Sequence, residues 1–169
     1  MPTPDYIAAI RRGYGKGRLL LPGVSAVVIR TDLPGDHHLL LVRRSDTGRW
    51  SLPSGIVEPF EQPAASMLRE LYEETRVVAH VERLALLTTD PDVTYPNGDT
   101  CQYVAMCFRC RYVAGDAQVG DEESLDVAWF PADELPEDLN EIQRRRIRLL
   151  THNSSPPYKS SCPPHPGST

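Results

Sequence analysis

The segment Gly55–Val77, GIVEPFEQPAASMLRELYEETRV, places three glutamates, Glu70, Glu73 and Glu74, within five residues. Pro63 suits the first turn of a helix, where a missing backbone N–H costs nothing. Ala64, Leu68, Leu71 and Thr75 then recur at helical spacing and predict one inward stripe. At ~100° per residue the glutamates fall in a separate sector, roughly 100° wide and turned away from that stripe. Glu70 neighbours Glu73 at i+3 and Glu74 at i+4, where like charges repel by a few tenths of a kcal/mol each. Such a face is either a solvated acidic surface or a face prepared for a hard divalent cation, because Mg²⁺ and Mn²⁺ take carboxylate oxygens.

Outward from this helix the pattern is mostly extended. GVSAVVIR (Gly23–Arg30) and LLLVRR (Leu39–Arg44) are β-branched, apolar runs separated by TDLPGDHH, whose Pro34-Gly35 marks a turn. Downstream, VVAHVERLALLTTD (Val77–Asp90), CQYVAMCFRCRYV (Cys101–Val113) and LDVAWF (Leu125–Phe130) read as further strands, with Asn97-Gly98 a hairpin signal. DYIAAIRRGYGKG (Asp5–Gly17) predicts a short helix broken by glycines, and Pro131–Leu150 a closing helical region. Strands with one mid-chain and one C-terminal helix predict an α/β (α+β) fold, a mixed sheet sandwiched between helices. Residues 1–20 form an N-terminal helical extension in this reading and 21–150 the folded domain. Residues 151–169, rich in proline and serine, form a tail expected to be disordered.

Bulk properties narrow the function. The 169 residues carry a net charge of −5, which argues against a nucleic-acid or anionic-membrane partner. No apolar run approaches the ~20 residues of a membrane span, and the N-terminus lacks a signal-peptide apolar region. The expected location is the cytoplasm. Cys101, Cys107, Cys110 and Cys162 are scattered, and the lone CFRC motif has no second ligand pair, so buried free thiols are the expectation. RRRIR (Arg144–Arg148) lies near a predicted helix C-terminus, where cations are favoured by the dipole.

Counted from Gly55, the spacing is glycine, five residues, Glu61, seven residues, then Arg69-Glu70-Leu71-Tyr72-Glu73-Glu74-Thr75-Arg76-Val77. This resembles the Nudix box, G-x5-E-x7-R-E-U-x-E-E-x-G-U, where U is apolar. Six fixed positions match, which chance would give in this chain about once in 10⁵. The flanking GRWSLPSGIVEPFE and the later EESLDVAWFPADELP resemble the family's strand–loop approach and its usual ending, so the likeness spans roughly Gly23 to Leu135. Three positions depart from the pattern. Ser54, Phe60 and Arg76 stand where glycines are common; none is a carboxylate, so the departures bear on backbone shape first.

The resemblance implies a Nudix-type α/β/α sandwich and Mg²⁺- or Mn²⁺-dependent hydrolysis of a diphosphate bond in a nucleoside diphosphate derivative. ADP-ribose or a nucleotide-sugar stands ahead of nucleoside triphosphates. It further implies Glu70, Glu73 and Glu74 as metal ligands, with a backbone carbonyl near Ser54 or Gly55 as a further one. Glu73 and Glu74 also take catalytic roles, with Glu123 of the loop GDEESLDVAWF in preference to Glu122 as general base. Glu61 and Arg69 pair to orient the loop and helix. Since successive strand residues face opposite ways, one of Arg43 and Arg44 faces the pocket, and Arg44 is assigned as a phosphate contact. Tyr95 and Tyr103 could stack on a base, although strand aromatics are more often core. Members of the family often dimerise. The competing readings are a nucleotide-binding or regulatory module without hydrolysis and, on the same fold, an isoprenoid-diphosphate isomerase.

Overall fold

A computed structural model describes residues 4–95 and 97–151. The elements in chain order are α1 (Asp5–Tyr14), β1 (Leu19–Arg30), β2 (His38–Arg44), β3 (Trp50–Ser51), β4 (Ser54–Ile56), α2 (Pro63–Thr75), β5 (Val78–Thr89), β6 (Val93–Thr94), β7 (Thr100–Ala114), β8 (Ser124–Pro131) and α3 (Glu141–Thr151). The predicted tail lies outside the described residues apart from Thr151, as does Cys162.

β1 is the middle of the sheet. It runs parallel to β7 from Leu19↔Cys101 to Ile29↔Arg111, and antiparallel to β2 at Ile29↔Leu39. β4 pairs with β1 at Val24↔Gly55, β5 with the far side of β7, and β3 and β8 with β2. The parallel β1–β7 pair needs a long crossover, and that crossover contains α2.

β1 is apolar on both faces because both are covered. Val24, Ala26 and Val28 pack with Met67 and Leu71 of α2, whereas Val27 and Ile29 pack with Ile147 and Leu150 of α3. Cys107 and Cys110 sit three apart on β7 and therefore fall in opposite layers; both are buried free thiols, as is Cys101. Among the described residues no helix is long and apolar enough to cross a membrane.

Two sequence expectations need correction. The predicted stripe of α2 is rotated: Met67, Leu71 and Thr75 are buried together with Ser66, Glu70 and Glu74, while Ala64 and Leu68 are only partly covered. Glu70 and Glu74 are 1% and 3% exposed, so two of the three glutamates face inward. A stripe drawn for one packing partner misses this, because α2 is also covered by β4 and by the loop that follows β7. The closing helical region is likewise shorter than expected. Pro131 ends β8, residues 132–140 form turns, and α3 starts only where Asn140 Oδ1 accepts the Gln143 N–H at 2.9 Å, an N-cap.

The basic run on α3 is spent on structure. Arg146 is buried and donates to both oxygens of Asp90 at 2.7 and 2.8 Å; Arg144 donates to the carbonyls of Leu139 and Pro136.

Phe60 (φ 70°) and Arg76 (φ 59°) are the non-glycine residues in left-handed backbone among the described residues. They are two of the three positions where the resemblance expects glycine. Arg76 ends α2, its N–H bonded to Tyr72 O at 3.0 Å, and its side chain recovers contacts: Nη2 donates to Gly120 O at 2.5 Å and the guanidinium lies 5.4 Å from the Tyr72 ring centre. Phe60 is fully exposed. Ser54 sits in β4 with ordinary strand backbone and needs no glycine. Phe60→Gly should therefore raise unfolding free energy by ~1 kcal/mol. Arg76→Gly should gain less, since it forfeits the Gly120 bond, and neither should alter turnover by more than about twofold. Urea melts and steady-state kinetics of the two variants check this; a large gain in turnover from Arg76→Gly with an unchanged melt would overturn it.

Candidate active site

Gly55 is where backbone meets carboxylate. A Cβ built there would lie 2.1 Å from Glu70 Cδ and 2.4 Å from its Oε1, so only glycine lets β4 approach α2 this closely. One residue earlier, the Ser54 N–H donates to Glu74 Oε2 at 3.1 Å. The two carboxyls thus sit directly behind the β4 backbone. Burial raises both: Glu70 to about 7, opposed by Arg69 and reinforced by Glu73, and Glu74 to about 8, opposed by the Ser54 N–H and Arg44 and reinforced by Glu70 and Asp121.

Glu73 is half exposed and bound to Arg69 Nη1 at 3.1 Å. Arg69 also holds Glu61 in a two-point contact, Nε to Oε1 at 2.8 Å and Nη2 to Oε2 at 2.9 Å, and its Nη1 lies 3.1 Å from Glu70 Oε1. The Arg69 bonds, with the Ser66 hydroxyl at 2.8 Å, hold Glu61 down to about 2. Arg69 therefore links Glu61, before α2, to the acidic end of the box.

The donor set suits a hard divalent cation. All three groups are carboxylates on adjacent turns, and the buried Glu70 Oε1 has no aligned hydrogen bond among the described residues. Glu73, however, turns toward Arg69, and no three acidic, histidine or cysteine side chains converge among the described residues. A cation held by all three would need Glu73 to exchange Arg69 for the metal.

The loop after β7 is docked on the end of α2. Gln118 and Gly120 donate their N–H groups to the carbonyls of Thr75 and Glu74 at 3.1 and 3.0 Å, satisfying acceptors that a helix end leaves open. Gly120 passes so close that a Cβ would sit 2.0 Å from Glu73 O. This docking sets the position of Glu123, whose N–H bonds to Asp121 Oδ1 at 2.9 Å and whose carbonyl accepts the Ser45 N–H at 2.7 Å.

In front of β4 lies a cavity of about 780 Å³. Ser54, Gly55, Arg44 and Glu123 line it; Glu70, Glu73 and Glu74 do not, Glu70 and Glu74 lying behind the Ser54–Gly55 backbone. Arg44 is fastened to Asp46 at 2.7 and 2.9 Å, while exposed Arg43 turns away to Gly48 O. Tyr95 and Tyr103 also line the cavity, their hydroxyls 2.6 Å apart. Sequence reasoning missed Asp46, Asp121 and the contribution of α1 through Ile7 and Arg11. Asp46 had a local signal, two residues beyond Arg44 in a turn; the others carry no motif.

Comparison with known proteins places the chain in a family. The family model described as NUDIX domain matches residues 19–150. A MutT-like protein of Streptomyces ambofaciens is 33% identical over 137 residues, covering 81% of this chain and 80% of the relative. An ADP-ribose pyrophosphatase of Methanocaldococcus jannaschii is 28% identical, covering 75% and 72%. Among solved structures, that of a UDP-X diphosphatase superposes with a TM-score of 0.60 at 27% identity, covering 87% of this chain and 68% of the other.

Proposed function

Since the chain belongs to the Nudix family of pyrophosphohydrolases, we propose that it cleaves the diphosphate bond of a nucleoside diphosphate derivative, of the ADP-ribose or nucleotide-sugar kind ahead of a nucleoside triphosphate, with Mg²⁺ or Mn²⁺ as cofactor. The observation that carries this reading is the burial of Glu70 and Glu74 against the backbone of Gly55 and Ser54, at the wall of a cavity that also holds Arg44. Burial still outweighs the Arg69 contact of Glu70 and the Ser54 N–H bond of Glu74, carboxylates so placed are costly to ionise, and a divalent cation would offset that cost.

Glu70, Glu73 and Glu74 would hold the metal. The bound ion would neutralise phosphate charge and make water a better nucleophile. The protein's own work is positioning. Arg69 and Glu61 fix the loop against the helix, Gly55 lets Glu70 pack directly behind the cavity-lining backbone, and Arg44, braced by Asp46, meets a phosphate oxygen. Glu123, which lines the cavity beside the docked loop, would accept a proton from water. The products are two phosphate monoesters, or a nucleotide and a phosphate-bearing group.

Purified protein with Mg²⁺ or Mn²⁺ should release nucleoside monophosphate from ADP-ribose or nucleotide-sugars, read by product chromatography. Silence across these and nucleoside triphosphates would sink the reading. A second reading, a nucleotide-binding or regulatory module, is favoured by one observation: Glu73 is engaged by Arg69 rather than aimed at its fellow glutamates. Saturable nucleotide binding without turnover, unchanged in Glu74→Gln, is the result that reading requires.

A further inference from the structure

We infer that α1, which lies outside the family-matched residues 19–150, is a specificity wall of the cavity and seats the substrate's nucleobase. This rests on the nucleotide reading above and assigns one end of that site.

α1 is fastened on both sides of the cavity. Tyr6 donates its hydroxyl to Val57 O at 3.2 Å, on the loop leading out of β4. Arg11, whose side chain is 11% exposed, donates to Thr100 O at 2.8 Å and Cys101 Sγ at 3.3 Å and lies 3.7 Å from Asp99. The helix therefore bridges the glycine loop to the β6–β7 turn. Between those anchors Ile7 is 4% exposed and packs with Leu21 and Cys101, against which Tyr95 and Tyr103 also rest.

Ile7, Leu21, Tyr95 and Tyr103 line the cavity at its α1 end and give it an aliphatic and aromatic patch, with Arg11 and Asp99 lining the same end. The α3 end presents Ser51, Asn140, Gln143 and Arg146 and is polar. The floor between is shallow-walled. Leu21, Gly23 and Ser25 share one face of β1, and Gly23 stands beside Ala105 on β7. The Tyr103 ring lies over Gly23, its Cδ1 3.2 Å from where a Cβ would be. From Leu21 to Ser25, which pairs with Ser54, the strand advances ~13 Å. A flat, apolar base fits the Ile7–Tyr103 end, where aromatic and aliphatic faces replace water. Its phosphates then run toward Ser54, Gly55 and Arg44, and a hydroxyl-rich second group suits the polar end.

The test compares wild type with Ile7→Ala, Ile7→Val and Arg11→Gln, using ADP-ribose as substrate and inorganic pyrophosphate as a competitor with no base. Ile7→Ala should raise KM for ADP-ribose about tenfold with kcat within about twofold, and leave the pyrophosphate inhibition constant unchanged. Ile7→Val should restore most of the loss, and Arg11→Gln, which loosens the helix without emptying the wall, should give a smaller rise in KM. A lowered melting temperature with unchanged KM, or equal weakening of both ligands, would overturn the inference and leave α1 a buttress. If wild type binds ADP-ribose without turnover, Kd replaces KM in the same comparison. If it neither cleaves nor binds any nucleotide, the parent reading and this inference fall together; if it does and Ile7→Ala shifts nothing, this inference falls alone.

Discussion

Glu74→Gln is expected to lower kcat by on the order of 10²–10³ while raising the melting temperature of the metal-free protein at pH 8. The two effects have one cause. Glu74 is 3% exposed, and burial raises its carboxyl to about 8, so near that pH folding must hold a substantially ionised group in a poorly solvated place. Glutamine has the same shape and no charge, and its carbonyl oxygen can still accept the Ser54 N–H. The metal-free fold should thus be relieved. Turnover should suffer because the neutral amide is a poor partner for a hard divalent cation. Glu73→Gln makes the control: its side chain is 49% exposed, so stability should barely move. A Glu74→Gln protein that loses both stability and activity would show that Glu74 is a structural acid. One that keeps full turnover would transfer the role to Glu73 or Glu123.

The fold was legible because its strands are contiguous apolar runs and its central helix starts at a proline. The box was legible because its information is spacing, which survives without knowledge of packing. The burial of Glu70 and Glu74 was not, since a helical wheel reports angle and not how many partners surround the helix. β4 and the Gln118–Gly120 loop cover the very sector that the wheel assigned to solvent. Arg76 and Phe60 were legible as departures, and the structure explains their cost: each keeps the left-handed backbone of the glycine it stands in for. The α1 wall was hidden for a different reason. Ile7 and Arg11 act largely through contacts with residues far along the chain, such as Thr100 and Cys101, and no local pattern encodes such pairings.

Removing divalent metal should make the protein's stability strongly dependent on pH, most stable near pH 4.5 and progressively weaker toward pH 8. Glu70 and Glu74 have folded-state values of about 7 and about 8, above their ordinary 4.5. Folding then favours their protonated forms, so the stability they contribute is complete below 4.5 and is lost as pH rises through 7 and 8. Each pH unit between the unfolded and folded values is worth ~1.4 kcal/mol, and the pair together amounts to several kcal/mol. The opposite limb belongs to Glu61, held at about 2 by Arg69; its contribution is complete above 4.5 and lost as pH falls toward 2. Denaturant melts in chelator from pH 4 to 8 should trace this peak. Saturating Mg²⁺ or Mn²⁺ at pH 8 should restore the lost stability, since a ligand that binds only the folded state stabilises it by mass action. That rescue should be smaller in Glu74→Gln, which loses one of the two buried charges that the ion would neutralise there and keeps Glu70. A flat metal-free profile from pH 5 to 8 would mean that Arg69 and Arg44 already balance the inward carboxylates, and would remove the physical reason for placing a cation between β4 and α2.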